Sequence, residues 1–303
     1  MKFGGHETFF LRPGWISKGL FLASEERDVV WNSNTASDAM GVGRNMSKSI
    51  GWWLNSTGLI CRPSRSGPPA PTPLGEAFLA HDPYFTDPAS WWFLHLSMVL
   101  GGNPDVFSWF FRKNSDPRFT RSALEGNLIA WLDARGERKP AINTLHRDIV
   151  VLLQTYARQI PAPQVDPEDN LDCPLRHLGL LVHRRDTDTF ERRHATARIP
   201  AVVVAAALGM ESRGGGPEDY HDAQMDFSGP LPRVGRILGM DVETTAERIV
   251  QASDELGPEF LSLRHLAGGR FATIRTQQLA KWAEMHFSMK NAGRESPAGE
   301  VPA

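Results

Sequence analysis

Apolar positions in this chain recur mostly at helical spacing. Over Ala36 to Leu54 the pattern reads as two short helices broken at Gly41-Val-Gly43, with Met46, Ile50, Trp53 and Leu54 on one face. Asn143-Thr144 looks like an N-cap for a helix through Tyr156 that turns Leu145, Ile149, Leu152, Leu153 and Tyr156 inward. Further helices are expected over Ser90–Leu100, Glu125–Ala134, Thr244–Leu256 and Thr276–Met289. The best strand signal is Phe260 to Leu266 and Arg270 to Arg275, which alternate and turn on glycines as a hairpin. The expected class is mainly α with small β-hairpins, an α+β fold.

One order recurs loosely three times: helix, short turn, helix, then a possible β wing. The copies are Ser37 to Leu59, the stretch ending at Leu175 to Phe190, and Asp241 to Arg275. This is the layout of winged helix-turn-helix modules, which place one helix in a DNA major groove. Short helical hairpins capped by ribbons are also common packing units. Pro-, Gly- and Ser-rich breaks fall at Arg62 to Pro73, Ile160 to Glu168 and Arg213 to Asp219. They suggest residues 1–80 as an N-terminal motif with a winged module and 81–160 as a helical domain. Residues 161–290 would form a C-terminal helical domain with wings, and 291–303 a disordered tail.

Composition narrows the function. The 303 residues are 41 % hydrophobic and 22 % charged, enough to bury a sizeable core. With 33 Lys plus Arg against 35 Asp plus Glu, the formal charge is −2, so a globally basic nucleic-acid wrapper is excluded. Any phosphate-binding surface must be local. Two cysteines, Cys61 and Cys173, exclude a disulfide-dense fold and a cysteine-rich zinc site. No signal-peptide core follows Met1, and the run Ile199 to Met210 is too short to span a bilayer. The expectation is a soluble cytoplasmic protein without membrane contact.

The densest chemistry lies between Phe3 and Gly19. Gly4-Gly5 permits close backbone approach ahead of His6-Glu7. His6 is a candidate general base, and Glu7 a metal ligand or orienter. Arg12 is a forked donor suited to phosphate, Lys18 a point charge, and Trp15 a flat face for stacking a base. The bland alternative is a structural clasp in which Arg12 pairs with Glu7 and Trp15 joins the core.

Gly41 to Ser49 places Arg44, Asn45, Ser47 and Lys48 at the start of a helix, where backbone N–H groups attract anions. That suits the N-terminus of a DNA-recognition helix, with a solvated polar face as the competing explanation. Glu168, Asp169 and Asp172 supply oxygen ligands for Mg²⁺ or, alternatively, helix caps. Asp148, preceded by His146 and Arg147, is a further polar group inside a helix. Trp91, Trp92, Phe93 and His95 read as core aromatics. No G-x-S-x-G, H-E-x-x-H or strand-linked G-x-G-x-x-G occurs, so serine hydrolase, zincin and dinucleotide enzyme gain no support.

Together, Phe3-Gly-Gly-His-Glu-Thr-Phe9, Leu11-Arg-Pro-Gly-Trp15, Gly41-Val-Gly-Arg-Asn-Met46, Thr57-Gly-Leu-Ile60, Thr72-Pro-Leu-Gly75 and Asp82-Pro-Tyr84 carry a resemblance. Thr144-Leu-His-Arg-Asp148, Glu168 to Leu175 and Leu178-Gly-Leu-Leu181 continue it over about residues 1 to 280. The chain resembles the family of the B component, a DNA nickase, of the Ssp single-strand DNA phosphorothioation system. That bacterial family, formerly of unknown function, is found beside sulfur-transfer enzymes. Cys173 and the Arg62 to Pro73 loop depart from its usual pattern.

The resemblance implies a DNA-nicking endonuclease acting on double-stranded DNA with an ATPase, a cysteine desulfurase and an ATP-pyrophosphatase-type sulfur-transfer enzyme. From chemistry, Glu7 with Asp169 or Asp172 would hold Mg²⁺ and His6 would act as base. Arg12 and Lys18 would stabilise the transition state, while Trp15, Arg44, Asn45, Ser47 and Lys48 would grip DNA. The rival expectation is a non-catalytic winged-helix adaptor or regulator of the modification complex; a third is an interaction scaffold.

Overall fold

The structure is a computed structural model. It describes residues 1–25, 29–62, 67–101, 105–161, 172–194, 198–212, 222–226, 231–266, 269–275 and 278–295. Helices α1 (Trp15–Ser24), α2 (Asn34–Met40) and α3 (Arg44–Ser56) lead into a ribbon, β1 (Ile60–Cys61) and β2 (Ala70–Pro71), and then α4 (Pro73–His81). A helical middle follows: α5 (Pro88–Leu100), α6 (Val106–Arg112), β3 (Arg118–Phe119), α7 (Arg121–Ala134), α8 (Ile142–Tyr156) and β4 (Ala157–Ile160). After a 3₁₀ turn at Pro174–Leu178 come β5 (Leu181–Arg184), β6 (Thr189–Arg192) and α9 (Ala201–Ser212). The last elements are β7 (Asp222–Asp226), α10 (Leu231–Leu238), α11 (Val242–Leu256), β8 (Leu261–Leu266), β9 (Gly269–Arg275) and α12 (Leu279–Glu295). The class is α+β, mostly helical with small hairpins and sheets.

Local chemistry explains several helix starts. The Ser33 side chain accepts from Ala36 N, Asp87 from Ala89 N, Asp105 from Ser108 N and Thr120 from Ala123 N. Each satisfies a backbone donor that the first turn leaves unpaired. Gly41 ends α2 at φ 65°, a conformation that other residues adopt only with strain. The Asn143-Thr144 cap is corrected: α8 starts at Ile142, with Ala141 before it and no side-chain cap. The expected tail after Asn291 is also corrected as far as Glu295, through which α12 continues.

Two helices are apolar on nearly every side and form the interior. In α5, ten of thirteen residues are buried, including Trp92, Phe93 and His95, as the aromatic pattern anticipated. The run Ile199 to Met210 becomes α9, buried from Val202 to Gly209. Among the described residues, no helix is long and apolar enough to cross a membrane. One cluster of packed side chains extends from Leu11 to Phe287.

The three expected winged copies diverge. The first has the order α2, turn, α3, ribbon, but each ribbon strand is two residues long. In the second, β5–β6 is no free wing: it lies inside a four-stranded sheet ordered β3-β6-β5-β4, with β4 parallel to β5. The third keeps α10, turn, α11, hairpin, and the β8–β9 register closes on Leu266 opposite Gly269. There β7 adds a third strand against β9. The order alone makes none of these a DNA-binding module.

Candidate functional site

The N-terminal segment is held by backbone geometry that its glycines allow. Gly4 and Gly5 have φ of 73° and 97°, and a Cβ on Gly5 would lie 2.5 Å from Trp52 Cδ1. Glu7 and Thr8 continue the turn at φ 48° and 66°, closed by Phe9 N donating to His6 O at 2.9 Å. This tight path drives the His6 ring inward, edge-on to Trp52 at 5.3 Å.

His6 and Asp148 are each 3 % exposed, and His6 Nε2 donates to Asp148 Oδ1 at 2.8 Å. Thr8 N donates to His6 Nδ1 at 3.1 Å, which fixes the tautomer with its proton on Nε2. The two Asp148 oxygens also accept Gly4 N, at 3.1 and 2.9 Å. Ser49 Oγ donates to His6 O and Trp53 Nε1 to Phe9 O, tying the segment to α3.

This clasp forms one wall of a pocket of about 180 Å³, with Trp52, Asn55 and Ser56 from α3 and Asp105 ahead of α6 opposite. Burial, reinforced by the Asp148 charge, pushes the Asp105 carboxyl up to about 7 against hydrogen bonds from Ser108 and Phe107 N–H. A carboxyl that titrates near neutrality beside a second carboxylate can hold or release a proton at working pH. Asp105 is the residue that sequence reasoning missed. In the chain it is one aspartate before an apolar run, indistinguishable from an ordinary N-cap.

The remaining sequence candidates disperse. Glu7 forms an ion pair with Lys48 at the surface. Arg12 lies against the edge-to-face pair of Phe9 and Trp15, 5.4 Å from each ring centroid, and Glu7 pairs with Lys48 and not with Arg12 as the clasp alternative held. The Arg12 Nε is buried without a hydrogen-bond partner among the described residues. Trp15 is 5 % exposed within the core, so the expectation of a base-stacking face is corrected. Lys18 Nζ donates to Met40 O at 3.2 Å, joining α1 to the end of α2. Arg44, Asn45 and Lys48 are exposed on the first turns of α3, whereas Ser47 is 0 % exposed and faces the interior. The hydroxyl of Ser47 therefore cannot reach DNA.

His6, the expected general base, has both ring nitrogens hydrogen-bonded inside the protein, to Asp148 Oδ1 and from Thr8 N. The Mg²⁺ set fits no better. Asp172 is held by Arg176 at 2.8 Å and Glu7 by Lys48, while Asp169 lies outside the described residues. Among the described residues no group of three His, Cys, Asp or Glu is placed to hold a metal.

What the structure does bring together is a stripe along α3. Arg44, Lys48, Trp52 and Ser56 follow one another at i+4, and the rise of 1.5 Å per residue puts Trp52 about 12 Å from Arg44. The exposed cations at the helix start and the Asp105–Asp148 pocket thus lie along one helix face.

No curated protein matches the chain. Two solved structures do. A magnesium ion-bound SspB crystal structure has a TM-score of 0.79 at 21 % identity, covering 99 % of this chain and 91 % of that one. A second SspB crystal structure has a TM-score of 0.78 at 22 % identity, covering 98 % and 90 %. Identities this low establish a shared fold, in keeping with the resemblance carried by the N-terminal motifs. Residues 3–286 match the family described as "Protein of unknown function (DUF4007)". The chain belongs to that family and has the fold of SspB.

Proposed function

We propose that this protein is the DNA-nicking component of a bacterial DNA phosphorothioation system. It hydrolyses one backbone phosphodiester so that a sulfur-transfer partner can act on the opened strand. The observation that carries this reading is the α3 stripe, which runs from exposed Arg44 and Lys48 into the pocket of Asp105 and Asp148. The shared fold with SspB over nearly the whole chain supports it.

In this reading Arg44, Asn45 and Lys48 hold duplex phosphates and base edges at the mouth of the pocket. Asp105 in its acid form protonates the ester oxygen that leaves as the P–O bond breaks. The attacking water forms the new P–O bond and gives up its proton to solvent, which reprotonates Asp105. His6 and Asp148 position the pocket wall and keep negative charge beside Asp105. Mg²⁺, present in one SspB crystal structure, would neutralise phosphoryl charge on the DNA. The protein would work in the cytoplasm with an ATPase and sulfur-transfer enzymes.

A non-catalytic DNA adaptor is the second reading, favoured by one observation: both His6 nitrogens are already occupied within the protein. Purified protein incubated with supercoiled plasmid, with Mg²⁺ or with a chelator, separates the two. Open-circular product supports nicking, and its loss with chelator adds a requirement for Mg²⁺. Salt-dependent binding without any open-circular product supports the adaptor.

A further inference from the structure

A cavity of about 360 Å³, separate from the Asp105 pocket, lies between β6 and the α10–α11 turn. Its walls carry Arg192, Arg193, His194 and Arg236, with Phe111 behind them and Asp241 at its edge. Arg192 stacks 4.0 Å over the Phe110 ring, and its Nη2 donates to Phe110 O and Asn114 O at 2.7 and 3.0 Å. Its Nε is buried and has no partner among the described residues. Arg236 Nη1 donates to Arg112 O at 3.0 Å. Among the described residues both guanidiniums therefore donate to neutral carbonyls, not to carboxylates.

The nearby acids divide their charge between the cavity rim and other partners. Asp241 caps α11 through Thr244 N at 2.7 Å and lies 3.8 Å from His194. Glu191 binds Arg184 and Arg118 at 2.7 and 2.6 Å and stands 4.0 Å from Arg193. Asp116 accepts from Asn127 at 2.6 Å. Burial above all, and secondarily the neighbouring Arg236 charge, pulls the Arg192 guanidinium down to about 9 against the opposing charge of Asp116. Gathering like charges around a recess is unfavourable until an anion enters; the start of the 15-residue α11 also lies there, already met by its Asp241 cap and by Glu243.

We infer that this cavity is a phosphate-binding site, with Arg192, Arg193 and Arg236 as its guanidinium donors. The phosphate group belongs either to a free nucleotide, whose size the cavity suits, or to a nucleic-acid backbone. The inference is independent of the nicking reading, since binding is read whether or not the protein cuts DNA.

Titration of the full chain with inorganic phosphate, a nucleoside diphosphate and a short DNA duplex, followed by calorimetry and ³¹P line width, tests it. Saturable binding is expected, weakened at least tenfold in Arg193→Gln/Arg236→Gln. The exposed pair Arg193→Gln/His194→Gln is expected to weaken it as well, with folding of that variant undisturbed. Tighter binding of the diphosphate than of phosphate identifies a nucleotide site, and displacement of phosphate by duplex identifies a backbone contact. Absence of saturable binding by all three probes, or binding equal in wild type and both variants, overturns the inference.

Discussion

His6 and Asp148 stand 142 residues apart in the chain and share a buried 2.8 Å hydrogen bond. That contact closes the N-terminal segment onto α8 and makes one wall of the pocket. Because Asp148 also accepts both bonds from Gly4 N, one side chain satisfies two donors. Asp148→Asn removes the charge and turns an amide donor toward one of them. A loss of about 2–3 kcal/mol is expected, from a weakened charged hydrogen bond and a partly unsatisfied buried donor. Urea unfolding at neutral pH measures it, and an unchanged midpoint would show that the clasp adds nothing to stability.

Asp105 sets a distinct pH dependence. Its folded value of about 7 lies above its ordinary 3.8, so between these the native state holds a proton that the unfolded chain has released. Its contribution is therefore present below about pH 4 and is lost as pH rises through 7. Asp105→Asn is expected to match wild type near pH 4 and to exceed it by about 1–2 kcal/mol at pH 8.5, the shift being damped by solvent at the pocket mouth. Denaturation midpoints of both proteins across that range give the difference curve.

His95 acts with the opposite sign. It is fully buried between the Tyr156 hydroxyl and Ile237 O, and burial pulls it from 6.5 down to about 4. Between these values the unfolded state binds the extra proton, so stability falls as pH drops from 6.5 toward 4, by up to about 3 kcal/mol. Replacing His95 by Gln should flatten this acid limb while lowering stability at pH 7. A limb of unchanged slope in His95→Gln would assign the acid sensitivity to other groups.

Arg44 and Lys48 are exposed at the start of α3. If each meets a phosphate, Arg44→Ala and Lys48→Ala each reduce the slope of log affinity against log salt by about 0.9. Affinity should fall for every duplex sequence alike, read by fluorescence anisotropy at several salt concentrations. Slopes equal to wild type in both variants would place the DNA on another surface.

Several features were legible in the chain because they rest on local chemistry. The α2–α3 break follows from Gly41, which takes the left-handed conformation, and the β8–β9 hairpin from alternation on either side of glycine. The interior of α5 follows from its aromatic run. The four-stranded sheet was not legible, since strands of two to four residues carry too little periodicity and β4 joins β5 only through tertiary packing. The site was half legible. Gly4, Gly5 and His6 stood out, yet nothing local tells that His6 bonds Asp148, or that Trp15 turns inward while Asp105 faces the pocket. Those facts belong to contacts between distant segments.

Under the proposed function a DNA strand is cut in the Asp105 pocket. The most direct measurement of this is the initial nicking rate of supercoiled plasmid by wild type and Asp105→Asn, at protein concentrations that saturate DNA binding in both. The variant is expected to bind duplex as wild type does but to nick at least a hundredfold more slowly, the share a positioned proton carrier supplies. Equal nicking rates for the two proteins, or a wild type that binds and never nicks, would contradict the proposed function.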